Sequence, residues 1–192
     1  MPEGKQWDGM GKIRNGMLVE LVWMTRDVYL ETIRDITPNW YLAGSDTLVP
    51  LINQPFIDEL SQYQIENRRE KCLAQAKNRW HKVQEATGKV LTALDQTNRD
   101  GVPLLLGDMI LHMLITLSFL NETPYITFAR FITQARGFAR KPADFDRLLD
   151  ILVQGTYQDL SALQTVVVAV FSQFEAIFPS LDIELYNRDL LL

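Results

Sequence analysis

Apolar residues recur with one rhythm before residue 57 of this chain and with another after it. The run Met17-Leu18-Val19-Glu20-Leu21-Val22-Trp23-Met24 is apolar on both faces of an extended chain, carries one carboxylate, and follows Asn15-Gly16. Asn-Gly accepts the positive φ angles of a type I′ turn, so Lys12-Ile13-Arg14 and the apolar run are expected to pair as a β-hairpin. Residues 1 to 10 are polar and glycine-containing, with Trp7 as the only large aromatic, and are expected to form a flexible arm, with order beginning near Gly11. A lone hairpin is unstable in water, and the sequence offers only a short helix over 26 to 36 and an extended piece over 47 to 52 to cover it. The sheet is therefore a remnant, or something completed by another chain.

From about Ile57 the spacing becomes helical. Leu73, Ala76, Trp80, Val83, Thr87, Val90 and Leu94 repeat at three and four residues, the seam of a long helix packed at a shallow angle, while Arg69, Lys71, Lys77, Lys82, Glu85 and Lys89 fall off it. Asp100-Gly101 breaks the chain before an apolar helix over 103 to 120, and Thr123-Pro124 reads as the N-cap and first position of a third helix. A fourth helix is expected over 142 to 154 with Gly155 as its stop. A fifth turns Leu160, Leu163, Val167, Val170, Phe174 and Ile177 inward and ends before Pro179. The predicted fold class is mainly α, an antiparallel helical bundle of about five helices over 56 to 180. A small β-hairpin within 11 to 55 precedes it and a tail over 181 to 192 follows.

Composition narrows the function classes. The 192 residues, 47% hydrophobic and 22% charged, suffice for one sizeable core. A net charge of -5 disfavours general nucleic-acid binding, because the chain as a whole repels phosphate backbones. The single cysteine, Cys72, allows no internal disulfide and, with only His81 and His112 beside it, no Cys/His zinc cluster, which fits a cytoplasmic location. No continuous apolar stretch follows a basic start, so no signal peptide is expected. The stretch from Val102 to Leu120 approaches membrane-spanning length but contains Pro103, Asp108 and His112, and is read as a buried central helix with no membrane role.

Glu20 is the first candidate for chemistry, since a carboxylate in an apolar strand must reach a sheet end or serve a cation. The apolar-Glu-apolar strand after a hairpin resembles the strand that supplies the third carboxylate in polymerase-β-like nucleotidyltransferases. The order of hairpin, short helix, Tyr41-Leu42-Ala43-Gly44 before a short strand, and a long charged helix opening with Asn67-Arg68-Arg69 is similar to the stretch joining catalytic and helical domains in aminoglycoside-type members. The resemblance runs over about 11 to 178 and implies a C-terminal bundle that helps to hold substrate, with 11 to 55 as the remnant of a nucleotidyltransferase-like domain. The family's Gly-Ser turn and Asp-x-Asp pair do not precede the hairpin, and no paired acids follow Gly44-Ser45-Asp46 at the required distance. Two-metal phosphoryl transfer needs clustered carboxylates. The resemblance therefore implies no cofactor for the chain alone, and ATP and magnesium only with a separate catalytic partner. The other readings of Glu20 are an acid at a sheet edge or paired with Arg14 across the hairpin, or a vestige of the catalytic carboxylate.

Asp108, His112 and Thr116, spaced by four on the most apolar helix, form one polar stripe. They either line a substrate cleft, with Asp108 orienting His112 or acting as base toward a hydroxyl, or are that helix's solvent-facing line. In similar nucleotidyltransferases a helical-domain carboxylate acts on the substrate hydroxyl, which is the role the resemblance implies for Asp108. Between residues 124 and 141, Arg130, Arg136, Arg140 and Lys141 occur without an acid beside Tyr125, Phe128, Phe131 and Phe138. Basic residues next to aromatics hold phosphates or bases, or they are a solvated helix face over a core stripe. Tyr125 and Arg130 join His112 and Thr116 as expected substrate-binding residues. The expected partners are a second copy in a symmetric homodimer or a catalytic chain, together with a small polar molecule. The competing function is a helical protein-protein interaction module that dimerises and binds no ligand.

Overall fold

A computed structural model of the chain describes residues 7–42 and 51–186. Strands β1 (Trp7–Arg14) and β2 (Met17–Met24) pair antiparallel as a two-stranded sheet, and Asn15 and Gly16 turn between them at φ 50° and 77°, as Asn-Gly dictates. β1 starts at Trp7, four residues before the onset expected near Gly11, because its ladder partners extend to Met24. Among the described residues seven helices follow: α1 (Arg26–Ile33), α2 (Gln54–Ser61), α3 (Arg68–Asp95), α4 (Val102–Leu120), α5 (Phe131–Arg136), α6 (Phe145–Gln154) and α7 (Leu160–Ile177). The protein is mostly helical, with a small two-stranded sheet near its N-terminal end. The extended piece expected over 47 to 52 lies outside the described residues, apart from Leu51 and Ile52, which form a bend.

The bundle is α3 to α7, organised around the antiparallel pair of α3 and α4. The α3 seam packs as its spacing requires: Ala76, Trp80, Val83, Thr87, Val90 and Leu94 are buried and Leu73 packs against their cluster. Trp80 reaches α7, where its ring lies 5.2 Å from Phe171 and 5.8 Å from Phe174, with Phe178 at 5.1 Å just beyond the helix. The apolarity of α4 follows from its place at the centre, where twelve of its residues are buried. By length and composition both α4 and the segment Leu160–Leu181 are long and apolar enough to cross a membrane.

Thr123-Pro124 opens no helix, contrary to expectation. The chain there stays extended, with Tyr125 donating its N–H to Tyr41 O (2.8 Å), and turns through a 3-10 segment, Phe128–Arg130, into the short α5. Long-range pairing with residues 41 and 42 overrides the local signal. Gly155 does stop α6, in the left-handed conformation at φ 67°. At the C-terminal end of α4, Asn121 clamps the returning chain, since its side chain donates to Arg140 O (2.8 Å) and accepts from Arg140 N (2.9 Å). Helices α1 and α2 build a separate small cluster from Leu30, Ile33 and Leu60, tied by the Arg26–Glu59 ion pair.

Candidate functional site

On α4 the polar stripe descends from surface to core. The Asp108 side chain is 47% exposed, that of His112 20%, and Thr116 is fully buried. The stripe is thus no uniform solvent-facing line, although only its outer half is open to a ligand. Thr116 satisfies its hydroxyl internally by donating to His112 O (2.9 Å), and His112 Nε2 stands 3.6 Å from Asp108 Oδ1.

The pairing of α3 against α4 adds groups that the sequence did not bring to this stripe. Arg79 Nη2 lies 3.4 Å from His112 Nδ1, and the guanidinium also sits over the Tyr41 ring, 5.7 Å from its centroid. Because arginine only donates, His112 Nδ1 is the acceptor and Nε2 carries the proton toward Asp108. Six residues further along α3, Glu85 accepts from Lys82 (3.1 Å) and Lys89 (2.7 Å), which hold its carboxyl down to about 2. Burial lowers the Arg79 pKa, so its charge is held at a cost in hydration.

Burial is also the main force lowering the His112 pKa; the charges of Arg79 and Lys82 add to it, while those of Asp108 and Glu85 oppose it. A folded-state pKa below the unfolded one means that the unfolded chain takes up this proton first as pH falls. His112 therefore contributes stability that is fully present above about pH 6.5, the unfolded value, and is lost as pH falls through the lower folded value. Urea unfolding at about pH 7.5 and about pH 5.5 is expected to show a larger loss of stability on acidification for the parent than for His112→Gln. Equal losses would show that His112 does not titrate differently in the two states.

The remaining expected site residues fall elsewhere. Glu20 is exposed on the hairpin opposite Gly11, not Arg14, and among the described residues shares no hydrogen bond or ion pair with the α4 stripe. Tyr125 is a core residue with 0% exposure. Its ring stacks on Phe131 at 4.1 Å and its hydroxyl donates to Leu114 O (2.8 Å), with burial pushing its pKa well up, so it offers no group to a ligand. Arg130 is exposed at the end of the 3-10 segment. The other cations of that run are structural: Arg136 pairs with Asp150 (2.6 Å), Lys141 with Asp146 (2.8 Å), and Arg140 donates to Leu120 O (2.7 Å). Among the described residues no group of three or more His, Cys, Asp or Glu could hold a metal ion.

Arg79 and Tyr41 were not legible as site residues. Arg79 is 33 positions from His112 and sits beside the core residue Trp80, so only the helix pairing reveals its role. Compared with known families, residues 66–184, the whole bundle from just before α3 to beyond α7, match the model for the KNTase C-terminal domain. No curated protein matches the chain.

Proposed function

Since the chain belongs to the KNTase C-terminal domain family and is nucleotidyltransferase-like, we propose that its bundle holds a small, hydroxyl-rich molecule on the α3–α4 face for a catalytic unit that supplies the metal-binding acids. The observation that carries this reading is the convergence of Asp108, His112, Arg79 and Glu85 from two helices onto one partly open face of the domain that the family match covers. In this reading Asp108, half exposed and at the outer end of the stripe, accepts a hydrogen bond from a substrate hydroxyl, and its exposure and the His112 Nε2–H beside it support that role. Buried or half-buried polar groups of this kind are held at a cost in stability, as functional groups often are.

A second observation supports the catalytic unit. Every residue of β2 that faces either side of the hairpin is apolar except Glu20, and nearly all are exposed. A strand apolar on both faces belongs inside a sheet covered on both sides, and β1, with Gly9, Gly11, Lys12 and Arg14, has the composition of an edge. The open edge of β2 is therefore where further strands would pair, which would bring Glu20 into a larger sheet.

The test is the pair of changes Asp108→Asn and His112→Leu made together. Folding is expected to be intact or improved, and a thermal-shift screen against amino sugars and nucleotides to show at least one compound that stabilises the parent more than the variant. If no compound does so, the ligand-binding reading falls and the interaction-module reading takes its place.

A further inference from the structure

We propose that Arg79, with His112 and Lys82 beside it, forms a binding site for an oxyanion, a phosphate or carboxylate group carried by a small molecule. The inference rests on the reading of the α3–α4 face as a ligand face and names the class of group bound there.

Arg79 differs from most cations around the bundle core; Arg68 also has a buried Nε without a hydrogen-bond partner and lies over the Trp40 ring, but its Nη2 makes a normal 2.8 Å hydrogen bond to Glu122 O. Lys71 is bonded to Asp35, Lys82 and Lys89 to Glu85, Arg136 to Asp150, and Lys141 to Asp146. Among the described residues Arg79 has no carboxylate within ion-pair distance. Of its five donors one reaches an imidazole nitrogen, at a long 3.4 Å, and its Nε is buried with no hydrogen-bond partner. The Tyr41 ring lies beside the guanidinium, its centroid 5.7 Å from Cζ. A partly desolvated guanidinium, next to an aromatic ring and short of acceptors, is complementary to a planar or tetrahedral oxyanion that accepts two parallel hydrogen bonds.

The neighbouring charges agree with this sign. Lys82 and Lys89 share the single carboxylate of Glu85, so this trio keeps one net positive charge on the α3 side of His112. Asp108 stands on the opposite nitrogen of the imidazole, so His112 separates the carboxylate from the guanidinium. The face therefore has a donor end at Arg79 and an acceptor end at Asp108, which fits a molecule carrying an oxyanion and a hydroxyl some distance apart.

The experiment uses inorganic phosphate as the probe, titrated against the full chain at constant ionic strength set with chloride, and reads thermal stability and the His112 ring resonances. Saturable stabilisation and a saturable His112 shift are expected for the parent and for Lys77→Met, an exposed cation of the same helix. Arg79→Met should lose both, and Arg79→Lys, which keeps the charge but not the fork, should bind about tenfold more weakly. An unsaturable or absent response in the parent overturns the proposal whether or not the variants fold, and an unchanged response in Arg79→Met overturns it too. A glucosamine titration separates the two readings. Stabilisation by the amino sugar without a phosphate response leaves the proposed function standing and sinks the oxyanion site. An Arg79-dependent phosphate response with no sugar effect does the reverse.

Discussion

Trp80→Ala is expected to destabilise the protein by about 3–5 kcal/mol, a large part of the roughly 5–15 kcal/mol that holds a domain of this size folded. The ring is 2% exposed and lies against three phenylalanines, Phe171, Phe174 and Phe178, so truncation removes its own burial and opens a cavity under α7. This aromatic stack joins α7 to α3, and the smaller residues that share the core with it on α3, Ala76 and Val83, leave a gap once the ring is removed. Its indole N–H also points at Tyr186 OH, at 3.4 Å, a weaker contact whose loss adds little. Urea unfolding followed by the helical circular-dichroism signal measures the change. Trp80→Phe, which keeps the stacking and loses part of the volume, should cost clearly less. A loss below about 1.5 kcal/mol for the alanine variant would mean that α7 repacks or is held chiefly by other contacts.

The same tryptophan shows why most of the bundle was legible in the sequence. A three-and-four spacing from Leu73 to Leu94 specifies which face of α3 is buried whatever its partner is, and its positions from Ala76 to Leu94 are all buried, with Cys72, Ala86 and Ala93 flanking them. Gly155 and Pro179 act through local backbone geometry, so they end α6 and α7 where the sequence places those stops. Thr123-Pro124 failed for the opposite reason. Its helix-start signal is worth little beside the buried Tyr125, which stacks on Phe131 and bonds to both Leu114 O and Tyr41 O. The site divides in the same way. Asp108, His112 and Thr116 share a helix and their juxtaposition follows from spacing, whereas Arg79 and Tyr41 arrive from α3 and from the segment before it, and no periodicity within one element encodes a contact between two.

The hairpin carries the other large effect. Its side chains at Leu18, Val19, Leu21 and Val22 are each more than half exposed, on a two-stranded ladder that such a sequence cannot hold alone against association. The parent is therefore expected to self-associate at micromolar concentration, or to be captured by a catalytic chain where one is present. Two double variants distinguish how the hairpin is covered. Val19→Lys with Leu21→Lys charges one face of β2, and Leu18→Lys with Val22→Lys charges the other, because side chains alternate along a strand. Placing lysines where two branched apolar side chains would be buried should weaken association by about a hundredfold or more. If β2 becomes an interior strand, covered on both faces, each double variant should do this alone. A hairpin that packs face to face on a second copy would respond to one pair only. Neither pair touches the bundle core, so the helical signal and the unfolding midpoint of the bundle should stay near those of the parent, which separates lost association from lost folding. Sedimentation velocity decides among these outcomes. A parent that remains monomeric at all accessible concentrations would show that the exposed apolar ladder is tolerated by the chain alone, and the completion of this sheet by a second chain would lose its main support.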